Sequence, residues 1–468
     1  MNKIQKKLLC IILILCLCSG LMACGSNGIS QDNDKNTSKS TDNTTVIAGS
    51  ENDNAEKTDV TDSTKEEQTE DADVKNTDVK GTKTNDTTVN KGVAGITVPE
   101  LDIESKKIPD NAALQFVADM KIGWNLGNTF DANTATNTLS DELDYEDSWV
   151  GVKTSKEMID TVKAAGFNTI RIPVSWHNHV DADFNISAQW LDRVQEVVDY
   201  AMDNDMYVIL NIHHDTQVGY YYPNSENYDT SKKYMTAIWS QLADKFADYS
   251  DKLIFESINE PRVVGSNYEW WIDINNADCA DAVDCINKLN QVFVDTVRGT
   301  GGNNETRYLM VPGYDASANC AVISQFILPT DVAGNDNKII VSVHAYTPYN
   351  FALQGMTEDG AVSDFSVKNN NRTKDITGFI TQLYNKYVSK GIPVVIGEFG
   401  ARDKNGNLQD RVDFSAFYIA TARAMGMTCV WWDNNSFSST EEGFGLLNRK
   451  DLTWEYPDIM TALMKYSE

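Results

Sequence analysis

The amino-acid sequence predicts an α/β fold, a (β/α)8 TIM barrel preceded by a signal peptide and a disordered linker. Between about residue 105 and the end of the 468-residue chain, eight short apolar runs alternate with amphipathic stretches. Polar or aromatic side chains stand at the ends of seven of these runs, and no Gly-x-Gly-x-x-Gly or P-loop motif follows any of them. Eight strands with helices between them over roughly 360 residues favour a closed barrel over an open, doubly wound sheet.

The apolar runs predict the strands, and amphipathic periodicity predicts the helices. The predicted strands, in chain order, are Ile122–Asn125, Thr169–Pro173, Tyr207–Asn211, Leu253–Ser257, Tyr308–Pro312, Ile339–His344, Val394–Phe399 and Thr428–Trp432. The predicted helices are Lys156–Ala165, Ala188–Asn204, Tyr234–Tyr249, Ala280–Gly299, Ile376–Lys390, Arg411–Met425 and Ile459–Lys465. Only the link after the fifth strand lacks a clear helical pattern.

Residues 1–23 are predicted to be a lipoprotein signal peptide. Met1–Lys7 is basic, Leu8–Leu17 is almost wholly apolar, and Leu21-Met22-Ala23-Cys24 resembles a bacterial lipobox. A charged start, a short apolar core and a small-residue exit are typical of an export signal. We expect Cys24 to be lipidated and the exported chain to be anchored to the bacterial membrane at the cell surface. An ordinary signal peptide with a chance cysteine is the alternative.

Residues 24–104 are predicted to be a tether. They consist mostly of Asp, Asn, Thr, Ser, Lys and Glu, and they include no aromatic residue. Such a segment cannot bury enough apolar surface to offset the entropy lost on ordering, so we expect it to be disordered. The folded domain is therefore placed at residues 105–468.

The acidic charge of the chain limits its partners. The formal net charge is −28, from 40 Lys and Arg against 68 Asp and Glu. Nucleic-acid binding needs clustered basic residues and is excluded. The acidity suits an exported protein with a neutral or cationic ligand, or else serves only as a solvated surface. We expect no internal membrane-spanning helix and, in the absence of a large exposed apolar helix, a monomer.

Four cysteines fall in the predicted domain, namely Cys279, Cys285, Cys320 and Cys429. Export permits a disulfide between Cys279 and Cys285, which are six residues apart. Free buried thiols are the alternative.

Two glutamates follow apolar runs at the ends of the fourth and seventh predicted strands. These are Glu260 in Ser-Ile-Asn259-Glu260-Pro261 and Glu398 in Val-Val-Ile-Gly-Glu398-Phe-Gly. Barrel enzymes build their sites at the C-terminal ends of the strands, so both carboxylates are expected in one pocket mouth. Paired carboxylates are what glycosidic cleavage needs, because one protonates the leaving oxygen while the other attacks the anomeric carbon or activates water.

Six strand-end motifs occur together in one order. They are Arg171 in Arg-Ile-Pro-Val, His213-His214, Asn259-Glu260-Pro261, His344-Ala345-Tyr346, Glu398-Phe-Gly and Trp431-Trp432-Asp433-Asn434. They resemble glycoside hydrolase family 5, whose members are retaining (β/α)8 glycosidases, over about residues 110–468. The run from Gly123 to Asp131, Gly-Trp-Asn-Leu-Gly-Asn-Thr-Phe-Asp, resembles the entry motif of its bacterial endoglucanase subfamily 4. The resemblance implies an endo-β-1,4-glucanase that acts on plant cell-wall β-glucan (cellulose, mixed-linkage β-glucan or xyloglucan), with no metal or organic cofactor.

The resemblance also implies roles for individual residues. Glu260 would be the acid/base and Glu398 the nucleophile. Tyr346 would hydrogen-bond the nucleophile, and Asn259 would hold the sugar 2-hydroxyl. Arg171 could stabilise the ionised nucleophile, as a cation beside a carboxylate does, whereas the surroundings of Glu260 must favour the neutral acid. The other residues expected to bind substrate or support the site are Asn128, His213, His214, His344, Trp432, Trp176 and His179.

Tryptophan and tyrosine rings suit a sugar cleft because sugar C–H faces stack on them. Trp432 is the expected platform on the non-reducing side of the cut. Further candidates are Trp176, Trp270, Trp271 and Tyr221, for which core packing is the alternative. The chain departs from the subfamily at Ser148-Trp149-Val150-Gly151, where Trp-Gly-Asn-Pro is usual, so the resemblance extends to the catalytic set but not to how this entry loop contacts substrate.

Three other functions stay open from the residues alone. A β-mannanase or xylanase would use the same fold. A metal-dependent barrel hydrolase would use Trp176-His177-Asn178-His179 as a ligand pair, which would leave both glutamates unexplained. A non-catalytic glycan-binding lipoprotein would be expected to have lost one carboxylate, and both are present.

Overall fold

The structure is a computed structural model, and it describes residues 92–134 and 139–468. The predicted signal peptide, Cys24 and most of the predicted tether lie outside the described residues. Within the described ranges, no helix has both the length and the apolar character needed to cross a membrane.

Eight parallel strands form a closed barrel in which each pairs with the next and β8 pairs with β1. The predicted (β/α)8 barrel is confirmed. Nearly every strand residue is buried, as expected for parallel strands covered by helices. The strands are β1 Ile122–Leu126, β2 Thr169–Ile172, β3 Tyr207–Asn211, β4 Leu253–Glu256, β5 Leu309–Ser317, β6 Ile339–His344, β7 Val394–Phe399 and β8 Thr428–Asp433.

Helices fill the links between the strands, and a short hairpin follows β8. The helices are α1 Ala112–Asp119, α2 Lys156–Ala164, α3 Ala188–Asp203, α4 Tyr228–Lys245, α5 Ala277–Gly299, α6 Ala318–Val322, α7 Tyr349–Ala352, α8 Asn370–Lys386, α9 Leu408–Ala424 and α10 Pro457–Lys465. The hairpin pairs β9 Leu447–Asn448 with β10 Thr453–Trp454. In the fifth link, where no clear helix was predicted, α6 has only five residues.

Helix α1, which the sequence analysis did not predict, closes the N-terminal end of the barrel. The Phe116 ring stacks on Tyr308 at a centroid distance of 3.8 Å and meets Tyr207, the first residue of β3, edge-on at 5.1 Å. Asn111 caps this helix by accepting the Leu114 N–H at 2.8 Å. With this end filled, the C-terminal strand ends remain for a pocket.

The folded region begins earlier than the predicted boundary at residue 105. The Val93 N–H donates to the Asp458 carboxylate, and the Leu101 N–H donates to the hydroxyl oxygen of Tyr466 at 3.0 Å. Four apolar side chains between residues 96 and 103 pack against the barrel core. The sequence did not predict this earlier start because the apolar residues of the segment alternate with neighbours that have the polar composition of the tether.

All four cysteines of the predicted domain are free and buried. Cys279 and Cys285 both lie on α5. Six residues of helix separate their Cα atoms by roughly 9 Å, whereas a disulfide needs Cα atoms within about 7 Å. Of the two alternatives, the free thiols are the ones observed.

Candidate active site

The carboxylates of Glu260 and Glu398 meet at the C-terminal end of the barrel, beyond β4 and at the end of β7. One oxygen of each and one ring nitrogen of His344, the last residue of β6, all lie within 4.8 Å of one another. Glu398 is almost fully buried, while the Glu260 side chain is 20% exposed and faces the opening. The two predicted catalytic carboxylates are thus adjacent, with an imidazole between them.

Arg171 on β2 is the buried centre of this site. Its Nη1 donates to Glu398 Oε1 at 2.7 Å, and its Nη2 donates to Asn259 Oδ1 at 2.7 Å. On its other side, Nε donates to Glu256 Oε2 at 2.7 Å. Burial alone would lower the pKa of Arg171, but the charges of Glu256 and Glu398 outweigh it and raise the pKa. The guanidinium is therefore a permanent cation below the pocket.

Glu256 is a site residue that the sequence analysis missed. It is fully buried at the end of β4 and accepts hydrogen bonds from Arg171, from Ser342 Oγ at 2.5 Å and from Asn211 Nδ2 at 3.1 Å. A carboxylate inside the apolar run Leu-Ile-Phe-Glu was the signal that could have found it, because a buried charge has to be paired.

Glu398 is held by two donors. Besides Arg171, the Tyr346 hydroxyl donates to its Oε2 at 2.9 Å. Burial and the charge of Glu398 raise the pKa of Tyr346 well above its usual range, so this hydroxyl keeps its proton. Burial also raises the pKa of Glu398, against the opposing charges of His344 and Arg171.

Glu260 is paired with His344, whose Nδ1 lies 2.8 Å from Glu260 Oε1. Burial opposes ionisation of Glu260, but the His344 hydrogen bond and the charges of His344 and Arg262 outweigh it and lower its pKa to about 2. Burial likewise opposes protonation of His344, but the two carboxylates raise its pKa above the ordinary value. This runs against the expectation that the surroundings favour neutral Glu260, because the His344 hydrogen bond and the nearby positive charges favour the ionised carboxylate.

The proposed sugar-binding side of the pocket is formed by the ends of β1, β3 and β8. Trp432 is 8% exposed, and its ring is parallel to that of His213 at 5.7 Å. A side chain at Gly127 would come within 2.8 Å of the Trp432 ring, so glycine is required for this close approach. The half-exposed His214 packs edge-on against His213 at 4.4 Å. Asn128, the residue after Gly127, has a left-handed backbone conformation (φ 59°), and its N–H donates to the Asp131 carboxylate at 3.0 Å.

Two candidates for sugar platforms lie in the core instead. Trp176 is fully buried, and its indole N–H donates to the Asn211 carbonyl oxygen at 2.9 Å. Tyr221 is also fully buried. A ring without an open face cannot stack on a sugar, so for these two candidates the structure shows the alternative, core packing.

His179 supports the fold rather than the pocket. Its ring stacks on the buried Trp190 at 3.7 Å, and its Nδ1 lies 2.8 Å from Glu142 Oε1. His177 is paired through Nδ1 with a different carboxylate, that of Asp215. The two histidines of the alternative metal site thus serve separate partners.

Two groups among the described residues have metal-ligand geometry. One is Glu260, His344 and Glu398, where the Arg171 guanidinium already neutralises charge and disfavours a second cation. The other is Asp131, His213 and His214, with His214 Nε2 3.8 Å from Asp131 Oδ2. Both Asp131 oxygens already accept backbone N–H groups, from Asn128 and Thr129.

The loop after β4 carries the remaining predicted aromatics. Trp270 and Trp271 are 41% and 58% exposed. Arg262, which the sequence analysis did not single out, lies with its guanidinium carbon 4.1 Å from the centroid of the Trp270 ring.

Comparison with known proteins gives one consistent family. The sequence profile of the Cellulase family (glycosyl hydrolase family 5) matches residues 127–438. Endoglucanase B of Ruminococcus albus is 42% identical over 360 residues, which is 76% of this chain and 81% of that protein. Endoglucanase B of Neocallimastix patriciarum is 41% identical over 372 residues, covering 78% and 73% of the two chains.

Solved structures agree. A family 5 lichenase from a Caldicellulosiruptor species is 63% identical with a TM-score of 0.79, over 80% of this chain and all of that chain. A GH5-4 broad specificity endoglucanase from Ruminococcus champanellensis, with bound cellotriose, is 43% identical with a TM-score of 0.69, over 77% of this chain and all of that chain. This chain is a glycoside hydrolase and belongs to the cellulase family, glycosyl hydrolase family 5.

Proposed function

We propose that this protein is an endo-acting β-1,4-glucanase that cleaves by retention, with Glu398 as nucleophile and Glu260 as acid/base. The observation that carries the proposal is the approach of the two carboxylates to within 4.8 Å, measured between one oxygen of each. Retaining enzymes hold their carboxyl groups about 5–5.5 Å apart, whereas inverting enzymes need roughly 6.5–9.5 Å to admit water.

In the first step, Glu398 attacks the anomeric carbon while Glu260 gives its proton to the departing oxygen. Arg171 donates a hydrogen bond to one Glu398 oxygen and Tyr346 donates to the other, and together they hold the carboxylate in place for attack. The bond from the anomeric carbon to Glu398 forms as the glycosidic bond breaks. The product of this step is a glycosyl ester on Glu398 and a free sugar end.

The proton for this step reaches Glu260 from His344. Transfer from Nδ1 to Glu260 Oε1 crosses a 2.8 Å hydrogen bond and leaves a neutral acid beside a neutral imidazole. A sugar that covers Glu260 excludes water and so penalises the charged pair relative to the neutral one. In the second step Glu260, now a base, takes a proton from water, and the resulting attack frees Glu398.

Asn259 suits the 2-hydroxyl of the sugar that is attacked. Its Oδ1 is occupied by Arg171, and among the described residues no acceptor meets its Nδ2 group. That amide can donate to the 2-hydroxyl oxygen, a contact that strengthens in the transition state.

The substrate class is inferred from relatives. One family member that is 63% identical is a lichenase, and others at about 40% are endoglucanases. We therefore propose mixed-linkage β-glucan and soluble β-1,4-glucans, with xyloglucan as a further substrate, over mannan or xylan.

Reducing-end release from lichenan, carboxymethylcellulose, xyloglucan and mannan tests this proposal, with chelator present. E398Q should abolish release from the glucans, while chelator should leave it unchanged. Proton NMR of the first product should show the β-anomer. Activity that survives E398Q, or a first product with the α-anomer, would refute the mechanism.

We further propose that the chain is exported and held at the cell surface by lipid on Cys24. The support is the sequence of residues 1–24 alone. Labelled palmitate should enter the protein in a bacterial host and should be absent from C24S.

A further inference from the structure

The loop after β4 places a cation directly beyond the acid/base. Arg262 Nη1 donates to the Glu260 carbonyl oxygen at 3.0 Å and lies 3.6 Å from Glu260 Oε2. The guanidinium carbon of the same side chain lies 4.1 Å from the centroid of the Trp270 ring. One guanidinium therefore connects the Glu260 carboxylate to one face of the Trp270 indole.

Trp270 is held in place but not covered. Glu269 Oε1 lies 3.3 Å from Arg262 Nε, and Glu269 Oε2 accepts the Gly265 N–H at 2.8 Å. These two contacts connect separate parts of the loop. The cation over one face fixes the orientation of the ring. At 41% exposure, the remainder of Trp270 is open to solvent. Tryptophan is enriched at binding interfaces because its ring is apolar and its edge carries a polar N–H, so an oriented and exposed Trp270 suits a binding surface.

The chemistry decides which part of the substrate this surface meets. Glu398 bonds to the sugar that is retained, and Glu260 contacts the oxygen between the retained and the departing sugars. Arg262 contacts Glu260 and Trp270, and none of its hydrogen bonds or ion pairs in the described part of the chain involves Glu398. The Trp270 face therefore lies beyond the acid/base, on the departing side.

We propose that Trp270, backed by Arg262, is the stacking platform for the glucose unit that leaves. This inference rests on the proposed function. A β-linked glucose unit carries its hydroxyls around the edge and presents C–H groups on both faces, so it can stack flat on an indole. Trp432 would then bind the retained side of the chain and Trp270 the departing side, with the two glutamates between them.

Two substrates separate this role from the catalytic chemistry. Cellohexaose has sugars on both sides of the cut, whereas β-cellotriosyl fluoride releases a single fluoride ion and leaves the departing side empty. W270A should lower kcat/KM for cellohexaose about tenfold, the factor that corresponds to about 1.4 kcal/mol. Hydrolysis of the fluoride should change by less than about twofold, within the effect of small surface changes.

Two further variants control for the ring and for the loop. W270F keeps an aromatic face and should recover most of the cellohexaose activity, which a merely structural role would not require. W271A removes the neighbouring ring, over which no cation lies among the described residues, and should cost less than W270A. Circular dichroism should show each variant folded.

The outcomes distinguish this inference from the proposed function. If the parent enzyme cleaves both substrates and W270A loses equally on both or on neither, Trp270 is not the platform. A larger loss in W271A than in W270A would also overturn the assignment. If the parent cleaves neither substrate, the proposed function fails and this inference falls with it.

Discussion

Replacing Glu256 by glutamine tests whether a buried charge below the pocket controls Glu398, the proposed nucleophile. Glu256 and Glu398 accept hydrogen bonds from the same guanidinium, each at 2.7 Å from one nitrogen of Arg171. In the resting site, two carboxylates share one cation. In the proposed mechanism Glu398 becomes an ester, and Glu256 alone then balances the charge of Arg171. In E256Q, ester formation would leave the buried Arg171 charge without a partner, so the charge on Glu398 becomes harder to give up.

The size of the effect follows from Coulomb's law. Two carboxylates on one guanidinium lie roughly 6 Å apart, and at an effective dielectric constant of about 20 their repulsion is about 3 kcal/mol. Removing it stabilises the Glu398 anion by that amount and so lowers the pKa of Glu398. Because a more stable anion is a poorer nucleophile, kcat/KM at neutral pH should fall by up to about a hundredfold.

The assay is kcat/KM against pH for β-cellotriosyl fluoride, which needs no proton from Glu260. The acidic limb reports ionisation of Glu398 in the free enzyme, so in E256Q it should move to lower pH while the plateau falls. S342A is the matched control, since it removes a hydrogen bond to Glu256 without changing charge. An unmoved or raised acidic limb in a folded E256Q protein would refute the reasoning.

Three further results are expected. In Y346F, loss of the hydroxyl that donates to Glu398 destabilises the anion by about 1.5–3 kcal/mol, so the acidic limb should rise by at least about one pH unit; an unchanged limb would contradict this. In W432A, kcat/KM for cellohexaose should fall about tenfold, and W432F should recover part of it, whereas equal loss in both variants would argue against stacking. A chain that begins at residue 105 should be less stable to urea than one that begins at residue 92 by about 3–4 kcal/mol, because four half-buried apolar side chains lie between residues 96 and 103; equal midpoints would show that this segment does not stabilise the barrel.

The barrel could be predicted because its strands repeat one simple pattern. β6 and β7 have the predicted bounds, since a fully buried parallel strand reads as an unbroken apolar run between turn residues. The ends of the helices were predicted less accurately than those of these two strands. α4 begins at Tyr228, six residues before its predicted start, because its first six residues, Tyr-Asp-Thr-Ser-Lys-Lys, carry no apolar periodicity.

The sequence did not predict which side chains form the layer beneath the strand ends. Trp176 follows the end of β2 by four residues and Trp432 lies near the end of β8, yet Trp176 is fully buried whereas Trp432 is 8% exposed. The difference comes from neighbours that are distant in sequence: the Asn211 carbonyl accepts the Trp176 indole N–H, whereas Gly127 leaves room for the Trp432 ring. Likewise, Glu256 becomes part of the site only because β2 brings Arg171 beside it.

The different partners of the two glutamates account for their proposed division of roles. Glu398 is held by Arg171, a cation that does not release its proton in proteins, and by a tyrosine hydroxyl whose pKa burial raises. Glu260 is held by His344, whose imidazole can give and take a proton near neutral pH. A carboxylate beside a fixed cation receives no proton from that partner and suits attack, whereas a carboxylate beside an imidazole can be supplied with a proton and suits acid/base exchange. Burial opposes the ionisation of both carboxylates, so it is the donor next to each one that distinguishes their roles.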